Sequence, residues 1–471
     1  MTALAPFALE IGLGVLLLIV FAAGLIVQGE DRRSVAMLAT GGVLVLAVWS
    51  MVLAPAGPAL GGMFVQDGLA IFAKRLFLAA TFIGLLAGLS LPDRVFARRS
   101  TEYHLLLLSS LLGMLVLASA RDLILLFVAF ELMSIPLYVL AGFLKRDPGA
   151  VEASLKFFLV GSVSSAVMAY GLSFVYGASR TTDLAKIAAV GEGTPLLTLG
   201  LVMALVGFAF KIAAFPFHMW VPDTYEAAST PFVAWLSVAP KAAGFVALFR
   251  VFFEGGEARA TAWIPVAALL ATITMLAGNL MALPQQNTKR LLAYSGIAQI
   301  GYMLVGVAAA SASGTAMVLF YLVAYVFGNM GAFLVVEALA RAEGSEATSA
   351  FRGLAQRSPL LALAMLLFLL SLGGIPFVAG FWAKLYVFWA AAERGLYWLV
   401  LLGAILTVVA LFYYLVVAKR MYIEAPESTT RVPVDATLAI SVALCALGVV
   451  LLGLYPAGVV TAALRVAAPL F

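Results

Sequence analysis

The segment FKIAAFPFHMW, from Phe210 to Trp220, ends a long apolar stretch that begins near Leu196. Its proline, Pro216, interrupts a helix because proline lacks a backbone donor and clashes with the preceding turn. Lys211 adds a charge to a segment otherwise suited to a membrane interior, where a charge is costly unless it has a partner or water. Broken helices at membrane depth occur only inside protein or beside water. This segment therefore indicates both a membrane fold and a functional site.

The composition of the whole chain points in the same direction. Of the 471 residues, 64% are hydrophobic and 11% are charged, and a soluble protein of this length could not bury so much apolar surface. The net charge of +5 is explained by basic residues in membrane-flanking loops rather than by nucleic-acid binding. The single cysteine, Cys445, excludes a disulfide framework, a cysteine metal cluster and a haem-attachment motif. We therefore expect an all-α membrane protein that binds no nucleic acid.

Apolar windows of about 20 residues predict about fourteen transmembrane helices. The predicted twelfth helix is too long for one straight span and contains GGIPF at Gly373–Phe377, which predicts a second broken helix. The two prolines, Pro216 and Pro376, are 376 − 216 = 160 residues apart, which favours a duplicated bundle with broken helices at matching positions. The predicted limits are 7–28, 35–53, 69–91, 104–119, 123–143, 155–177, 196–215, 232–253, 263–283, 291–310, 315–340, 359–392, 397–418 and 436–458.

Lysine and arginine are unevenly distributed between the predicted loops. If the first loop faces the cytoplasm, about fifteen of these residues lie in cytoplasmic loops and about six in outer loops and the tail. This bias favours that orientation. An even number of spans then places both termini on the outer side of the membrane.

Four charged residues lie too far inside their spans to reach the membrane surface: Glu131, Lys211, Lys241 and Lys384. A structural ion pair with Glu131 would account for one lysine but not for three. Burial disfavours the charged form of lysine, so a buried lysine can take and give protons near neutral pH. An acid and three lysines on separate helices therefore favour stepwise proton movement. Charges nearer the span ends are interpreted as side chains that extend to the membrane interface, namely Glu10, Lys74, Arg75, Arg250 and Glu337.

Two further side chains are candidates for a proton relay. His218 is either a relay or a donor at a helix end, and Lys156, near the start of its span, is a possible relay. The sequence contains no Ser–His–Asp arrangement, no phosphate-binding loop and no cluster of metal ligands. It therefore predicts no cofactor-binding site, no metal site and no covalent catalysis in this chain.

The segments that carry these residues resemble the antiporter-like membrane subunits of bacterial respiratory complex I, the proton-pumping NADH:quinone oxidoreductase. This family is related to multi-subunit cation/proton antiporters, and the resemblance extends over nearly the whole chain. It is carried by GFAFKIAAFPFHMWVPDTYEAASTP (Gly207–Pro231), SVAPKAAGF (Ser237–Phe245), GNLMALPQQNTKRLLAYSGIAQIGYMLVG (Gly278–Gly306) and LSLGGIPFVAGFWAKLYVF (Leu370–Phe388).

Within that family the chain looks most like the N-type subunit, the counterpart of mitochondrial subunit 2. The segment YVLAGFLKRDPGAVEASLKFFLVGS (Tyr138–Ser162) resembles the corresponding sequence of N-type subunits. By the same resemblance, Lys384 occupies a position at which the M-type subunit has a glutamate. Only a short tail follows the last predicted span, whereas the L-type subunit has a long lateral helix.

The resemblance implies a role for each buried charge. Glu131 matches the glutamate of the fifth helix, which pairs with the lysine of the broken seventh helix, Lys211. Lys241 matches the connecting lysine of the eighth helix, and Lys384 matches the lysine of the broken twelfth helix, in the half-channel that faces outside. Some relatives have a histidine where this chain has Gln299. Gln299 is therefore a third possible relay position, although glutamine can order water but does not titrate.

The resemblance also implies a fold with two inverted five-helix repeats and broken seventh and twelfth helices. We accordingly expect an N-terminal three-helix segment at 1–103, a first repeat at 104–258, a second repeat at 259–424, and a C-terminal helix and tail at 425–471.

The expected function is proton translocation in the bacterial inner membrane, driven by quinone reduction in partner subunits. NADH, FMN, iron–sulfur clusters and quinone are expected in those partners and not in this chain. The expected partners are the lipid bilayer and other membrane subunits of complex I, especially neighbouring antiporter-like subunits. The alternative is a subunit of a multi-subunit cation/proton antiporter or of a related membrane hydrogenase. A purely structural scaffold is disfavoured by three mid-span lysines.

Overall fold

The computed structural model describes residues 2–27, 32–90, 94–190, 195–255, 260–426 and 430–471. Helices dominate these ranges, and their bounds follow in chain order. They are α1 Ala8–Ile26, α2 Arg33–Val52, α3 Gly68–Gly88, α4 Arg94–Arg98, α5 Ser100–Ser119, α6 Leu123–Ala141, α7 Pro148–Ser179, α8 Leu184–Ala188, α9 Pro195–Ile212, α10 Trp220–Ala227, α11 Thr230–Leu236, α12 Ala239–Phe249, α13 Ala260–Ala282, α14 Thr288–Ala308, α15 Ala312–Glu343, α16 Leu354–Arg357, α17 Pro359–Gly373, α18 Ala379–Glu393, α19 Tyr397–Tyr422, α20 Ala436–Leu454 and α21 Ala457–Ala467.

One small antiparallel ribbon lies between α2 and α3. Its strands are β1 Gly57–Ala59 and β2 Phe64–Gln66, with Gly57 opposite Gln66. Short 3₁₀ helices occur at Thr2–Phe7, Leu60–Gly62, Thr348–Phe351 and Ala468–Leu470.

Thirteen helical segments in the described ranges are long and apolar enough to cross a membrane. The predicted twelfth span is instead two shorter helices, α17 and α18, with Pro376 between them. Pro216 likewise lies between the end of α9 and the start of α10. The prediction of an all-α membrane protein with about fourteen spans and two broken helices is confirmed.

Two elements differ from the prediction. The span predicted at 232–253 consists of α11 and α12, which are separated at Ser237 and Val238 and followed by a π-helix at Arg250–Glu254. Pro240 lies in the first turn of α12, where its missing N–H removes no intrahelical hydrogen bond. At the C-terminal side, α21 follows the last predicted span as an additional helix.

Side-chain caps explain where several helices begin. Asp67, Asp122, Asp147, Asn287 and Ser311 each precede a helix and accept hydrogen bonds from backbone N–H groups of its first turn. Such caps satisfy donors that the helix itself leaves unpaired. The caps fix the starts of α3, α6, α7, α14 and α15.

The chain divides into two compact units. Unit 1 contains residues 1–212, 239–263 and 466–471, and unit 2 contains residues 213–238 and 264–465. In unit 1, α12 is buried along its whole length and packs against α3, α5 and α9. In unit 2, α15 packs against α11, α14, α17, α18 and α20. Polar side chains on these central helices are therefore enclosed by protein.

Candidate functional site

Glu131 lies on α6 in unit 1, and its side chain is half-buried. Ser165 on α7 donates a hydrogen bond from its Oγ to the Glu131 carboxylate at 2.5 Å. A hydrogen bond of this kind to a charged group is stronger than one between neutral groups. Ser165 therefore fixes the position of the Glu131 side chain beside α7.

Lys211 lies in the last turn of α9, with 2% of its surface exposed. Its Nζ atom is 5.1 Å from the centre of the Phe130 ring and 5.8 Å from that of Phe210. It makes no hydrogen bond to the described residues. The charge of Glu131 acts on it, but no direct ion pair joins the two side chains among the described contacts. The predicted pairing of Lys211 with Glu131 therefore stays a prediction.

Lys241 is the third residue of α12 and is 1% exposed. Its helix packs directly on α9, which carries Lys211. The contact is made at Gly244, one turn after Lys241. A Cβ atom at Gly244 would lie 2.9 Å from Ile212 Cγ2 and 3.1 Å from Lys211 Cγ. The absence of a side chain at Gly244 therefore lets the stem of Lys211 lie against the helix that carries Lys241.

Replacing Gly244 by alanine should displace Lys211 without removing any titratable group. Overpacking of this kind costs about 1–3 kcal/mol. We expect proton-coupled turnover to fall because Lys211 is displaced, while the intact protein still accumulates in the membrane. The matched control is Gly41→Ala, because a Cβ atom at Gly41 meets nothing within 4 Å. Equal turnover in the two variants, measured at equal protein content, would show that Gly244 does not position Lys211.

Lys384 lies on α18 in unit 2 and is 4% exposed. Its Nζ atom donates to the carbonyl of Gly373, the last residue of α17, at 3.4 Å, and lies 4.5 Å from the centre of the Tyr302 ring. Gly374 caps α17 with a φ of +80°, and a Cβ atom there would lie 2.9 Å from Lys384 Cδ. Glycine suits position 374 for two reasons. Other residues disfavour a positive φ, and their Cβ atom would displace the Lys384 side chain.

Gln299 on α14 lies, like Lys384, at the C-terminal end of α17. Its Nε2 atom donates to the carbonyl of Leu372 at 2.9 Å and to Tyr414 Oη at 3.1 Å. Its Oε1 atom accepts from Tyr321 Oη at 2.5 Å. Gln299 and Lys384 therefore occupy neighbouring carbonyls that the break at Pro376 leaves without intrahelical partners.

The backbone at the other break is also satisfied by polar side chains. The N–H of Phe215 donates to Thr274 Oγ1 at 3.1 Å. His218 is 6% exposed, and its ring stacks on Phe215 with centroids 5.0 Å apart. His218 thus lies between α9 and α10, and its role, as a proton relay or as a donor at a helix end, stays a prediction.

Lys156 stands apart from the buried charges. It lies on α7, its side chain is 46% exposed, and it pairs with Glu152 one turn earlier at 2.7 Å. These contacts place it at the surface of the chain rather than beside Lys211. Its relay role stays a prediction without support from burial.

The interpretation of Lys74 and Arg250 as interface-seeking side chains is wrong. Both side chains are 0% exposed. Lys74 pairs with Glu10 at 2.7 Å, and Arg250 pairs with Asp67 at 2.6 Å. Position near a span end was the only sequence signal, and it does not show which neighbouring helix supplies a counter-charge.

The arrangement supports proton transfer more than bond chemistry. The described residues contain no group of three or more His, Cys, Asp or Glu side chains that could hold a metal ion. The three predicted lysines, Lys211, Lys241 and Lys384, are almost fully buried and are enclosed by aromatic rings, a backbone carbonyl or closely packed helices. Such groups change charge readily when a nearby charge changes.

Comparison with known proteins identifies the family. Residues 120–410 match the family described as NADH:quinone oxidoreductase/Mrp antiporter, TM. The NADH-quinone oxidoreductase subunit N of Moorella thermoacetica is 42% identical over 466 residues, which cover 98% of this chain and 96% of that protein. The chain belongs to the NADH-quinone oxidoreductase subunit N family. The subunit N of Heliobacterium modesticaldum is also 42% identical, over 87% of each chain.

Solved structures agree with membership in the subunit N family. A chain of respiratory complex I from Thermus thermophilus is 34% identical, with a TM-score of 0.84 over 96% of this chain and 98% of that chain. A chain of the Mrp complex from Dietzia has a TM-score of 0.86 over 99% of this chain and 97% of that chain, at 21% identity. At that identity the second likeness concerns the fold alone. The expected resemblance to the N-type subunit is confirmed.

The uncharged polar residues of the candidate site were not predicted from the sequence. The broken end of α17 is surrounded by a network of tyrosines, an asparagine and a serine, which includes Asn279, Ser295, Tyr302, Tyr321, Tyr413 and Tyr414. One signal was present in the sequence, because Ser295, Gln299 and Tyr302 recur at i, i+4 and i+7 and so share one face of α14. A polar stripe on an apolar helix marks the side that faces other polar groups.

Proposed function

We propose that this chain translocates protons as a membrane subunit of a proton-pumping NADH:quinone oxidoreductase, by way of Glu131, Lys211, Lys241 and Lys384. One observation carries the proposal. Each of the two breaks is associated with a buried lysine at a helix C-terminus: Lys211 lies in the last turn of α9, and Lys384 contacts the last carbonyl of α17. Broken helices with ionisable groups at membrane depth are typical of ion pathways.

The helix ends give the lysines different electrostatic surroundings. A helix C-terminus carries partial negative charge and favours a cation, whereas an N-terminus disfavours one. Lys211 lies at the C-terminal end of α9, and Lys384 contacts the C-terminal end of α17. Lys241, in the first turn of α12, lies at an N-terminal end. We therefore assign Lys241 to the middle of the pathway, between two lysines at helix C-termini.

Glu131 supplies the variable charge in unit 1. In the observed state it accepts from Ser165 and acts on Lys211 only through space. Moving the Glu131 carboxylate towards Lys211 would favour the protonated lysine, and moving it away would favour proton release to Lys241. A proton moved against 100 mV stores about 2.3 kcal/mol, which a change in one close ion pair inside a protein can supply.

The partners follow from this assignment. We propose that the redox reaction takes place in other subunits, which hold the flavin, the iron–sulfur clusters and the quinone site. Neighbouring antiporter-like subunits would pack beside this chain in the membrane. The names of the subunit N relatives support the complex, and the charge distribution of the loops supports an inner-membrane location with both termini outside.

A cation/proton antiporter or a membrane hydrogenase is the alternative. The Mrp likeness supports only a shared fold, whereas the subunit N relatives match nearly the whole chain at 42% identity. The same lysines would serve either function, so the complex must be identified biochemically.

The test is to purify the complex through an affinity tag on this chain. We expect a preparation that contains flavin and iron–sulfur clusters, reduces quinone with NADH and acidifies the lumen of proteoliposomes during turnover. A preparation without redox subunits that exchanges a metal cation for protons in the absence of NADH would contradict the proposal.

A further inference from the structure

A second network of buried charges occupies unit 1, away from Glu131 and Lys211. It is formed by three acidic and three basic side chains, so its formal charge balances. Its members are Glu10 on α1, Asp67 and Lys74 at the start of α3, Arg121 before α6, and Arg250 and Glu254 at the end of α12. None of these residues belongs to the proposed Lys211–Lys241–Lys384 pathway.

The innermost part of the network is the pair of Glu10 and Lys74. Lys74 is fully buried, and Glu10 is 9% exposed. The Lys74 Nζ atom is 2.7 Å from a Glu10 carboxylate oxygen and donates to Gln66 Oε1 at 3.0 Å. Lys74 lies seven residues after Asp67, about 10 Å along α3. A lysine and a glutamate in direct contact titrate as a coupled pair, and removal from solvent disfavours their charged forms.

The outer part of the network is a set of fixed charges. Arg250 pairs with both Asp67 and Glu254, and it also donates to the carbonyl of Ala118 at 3.0 Å. Burial raises the pKa of Asp67, but the Arg250 guanidinium outweighs this effect and holds the pKa below its usual range. Asp67 and Arg250 therefore keep their charges while the inner pair titrates.

The outer charges extend from the interior of unit 1 to its surface. The side chains of Asp67 and Arg121 are each 35% exposed, whereas Lys74 and Arg250 are 0% exposed. Arg250 directly follows α12, the helix that carries Lys241, and lies nine residues or about 13 Å beyond that lysine.

We propose that Glu10 and Lys74 form a second proton-exchange site of this chain, which opens to the surface at the exposed 9% of Glu10. In the exchange, an N–H bond of the Lys74 ammonium breaks and an O–H bond of Glu10 forms, so the pair changes from ammonium and carboxylate to amine and carboxylic acid. Its net charge is zero in both forms. Release of the Glu10 proton to the surface leaves a carboxylate beside a neutral amine, and uptake of a proton restores the ionic pair.

Gln66 fits this role as the polar neighbour of the pair. It is fully buried, its Oε1 atom accepts from Lys74, and its Nε2 atom has no hydrogen-bond partner among the described residues. A buried amide donor of this kind is available to stabilise the Glu10 carboxylate or a bridging water while the proton is absent. A purely apolar neighbour could not serve both forms of the pair.

Two measurements distinguish a proton-exchange site from a structural ion pair. Only the first of them rests on the proposed function. Lys74→Arg keeps the positive charge and the pairing with Glu10 but removes exchange, since arginine does not release its proton. In the assembled complex we expect Lys74→Arg to lower the number of protons translocated per NADH as much as Lys74→Met does. Lys186→Arg and Lys186→Met are the matched controls, because Lys186 is 72% exposed on α8. A native ratio in Lys74→Arg would overturn the proposal.

The second measurement needs no pumping and also decides the case if Lys74→Arg does not assemble. Infrared difference spectra of the assembled complex are recorded between high and low pH, for the native chain and for Glu10→Gln. We expect Glu10→Gln to remove one carboxylic-acid carbonyl band from the native difference spectrum. An unchanged set of bands would overturn the exchange site, whatever the complex pumps. If the native complex shows no translocation but the band is lost in Glu10→Gln, the proposed function fails and the exchange site stands.

Discussion

Replacing Lys211 by methionine should abolish proton translocation through this chain while the complex still assembles. Methionine keeps most of the buried volume between Phe130 and Phe210, so packing changes little. The variant has no titratable group at the end of α9, and Glu131 loses the cation on which its charge acts. We expect the number of protons translocated per NADH to fall by the whole share that passes through this chain.

The measurement is the initial rate of acidification relative to NADH oxidation in proteoliposomes, at equal content of the tagged chain. Lys186→Met serves as the control for loss of a lysine. A double-mutant cycle with Glu131→Gln adds a second criterion, because residues that act through one charge interaction show non-additive effects. A native ratio in an assembled Lys211→Met complex would refute the role of Lys211.

The second large effect is expected at Lys384. Lys384→Met removes titration but keeps bulk against Tyr302 and the end of α17, and it should stop translocation through this chain as completely as Lys211→Met. Lys384→Glu keeps a titratable group and in its protonated form can still donate to the Gly373 carbonyl. When ionised, however, it faces that carbonyl and the Tyr302 ring, both of which favour a cation.

We therefore expect Lys384→Glu to translocate protons at a ratio between those of the native chain and Lys384→Met. The comparison must be made at several pH values, since the charged form of glutamate is the one that is disfavoured. If Lys384→Met translocates protons at the native ratio, the pathway does not end at Lys384.

Most of the fold and the core of the site were predictable because hydropathy and charge are local properties. The apolar windows located the spans, and Pro216 and Pro376 located both breaks. Glu131, Lys211, Lys241 and Lys384 were found because a charge in the middle of an apolar window has no simple structural explanation. These inferences required no knowledge of which helices touch.

The unpredicted features depend on contacts between distant parts of the chain. Asp67 and Arg250 pair across 183 residues, and nothing in either span alone reveals the partner. Lys74 lies near a span end, so its burial by Glu10 was invisible from position. Ser165 was missed for a different reason, since uncharged polar residues are tolerated widely in membrane helices and single ones carry little information.

We propose that Lys211, Lys241 and Lys384 act in series on the same protons. The most direct test is the number of protons translocated per NADH by the assembled complex with each lysine replaced singly by methionine and with all three replaced together. In a series, one missing member stops the transfer, so each single variant and the triple variant should show the same reduced ratio. Single variants that each lose only part of the ratio lost by the triple variant, or a triple variant with the native ratio, would contradict the account.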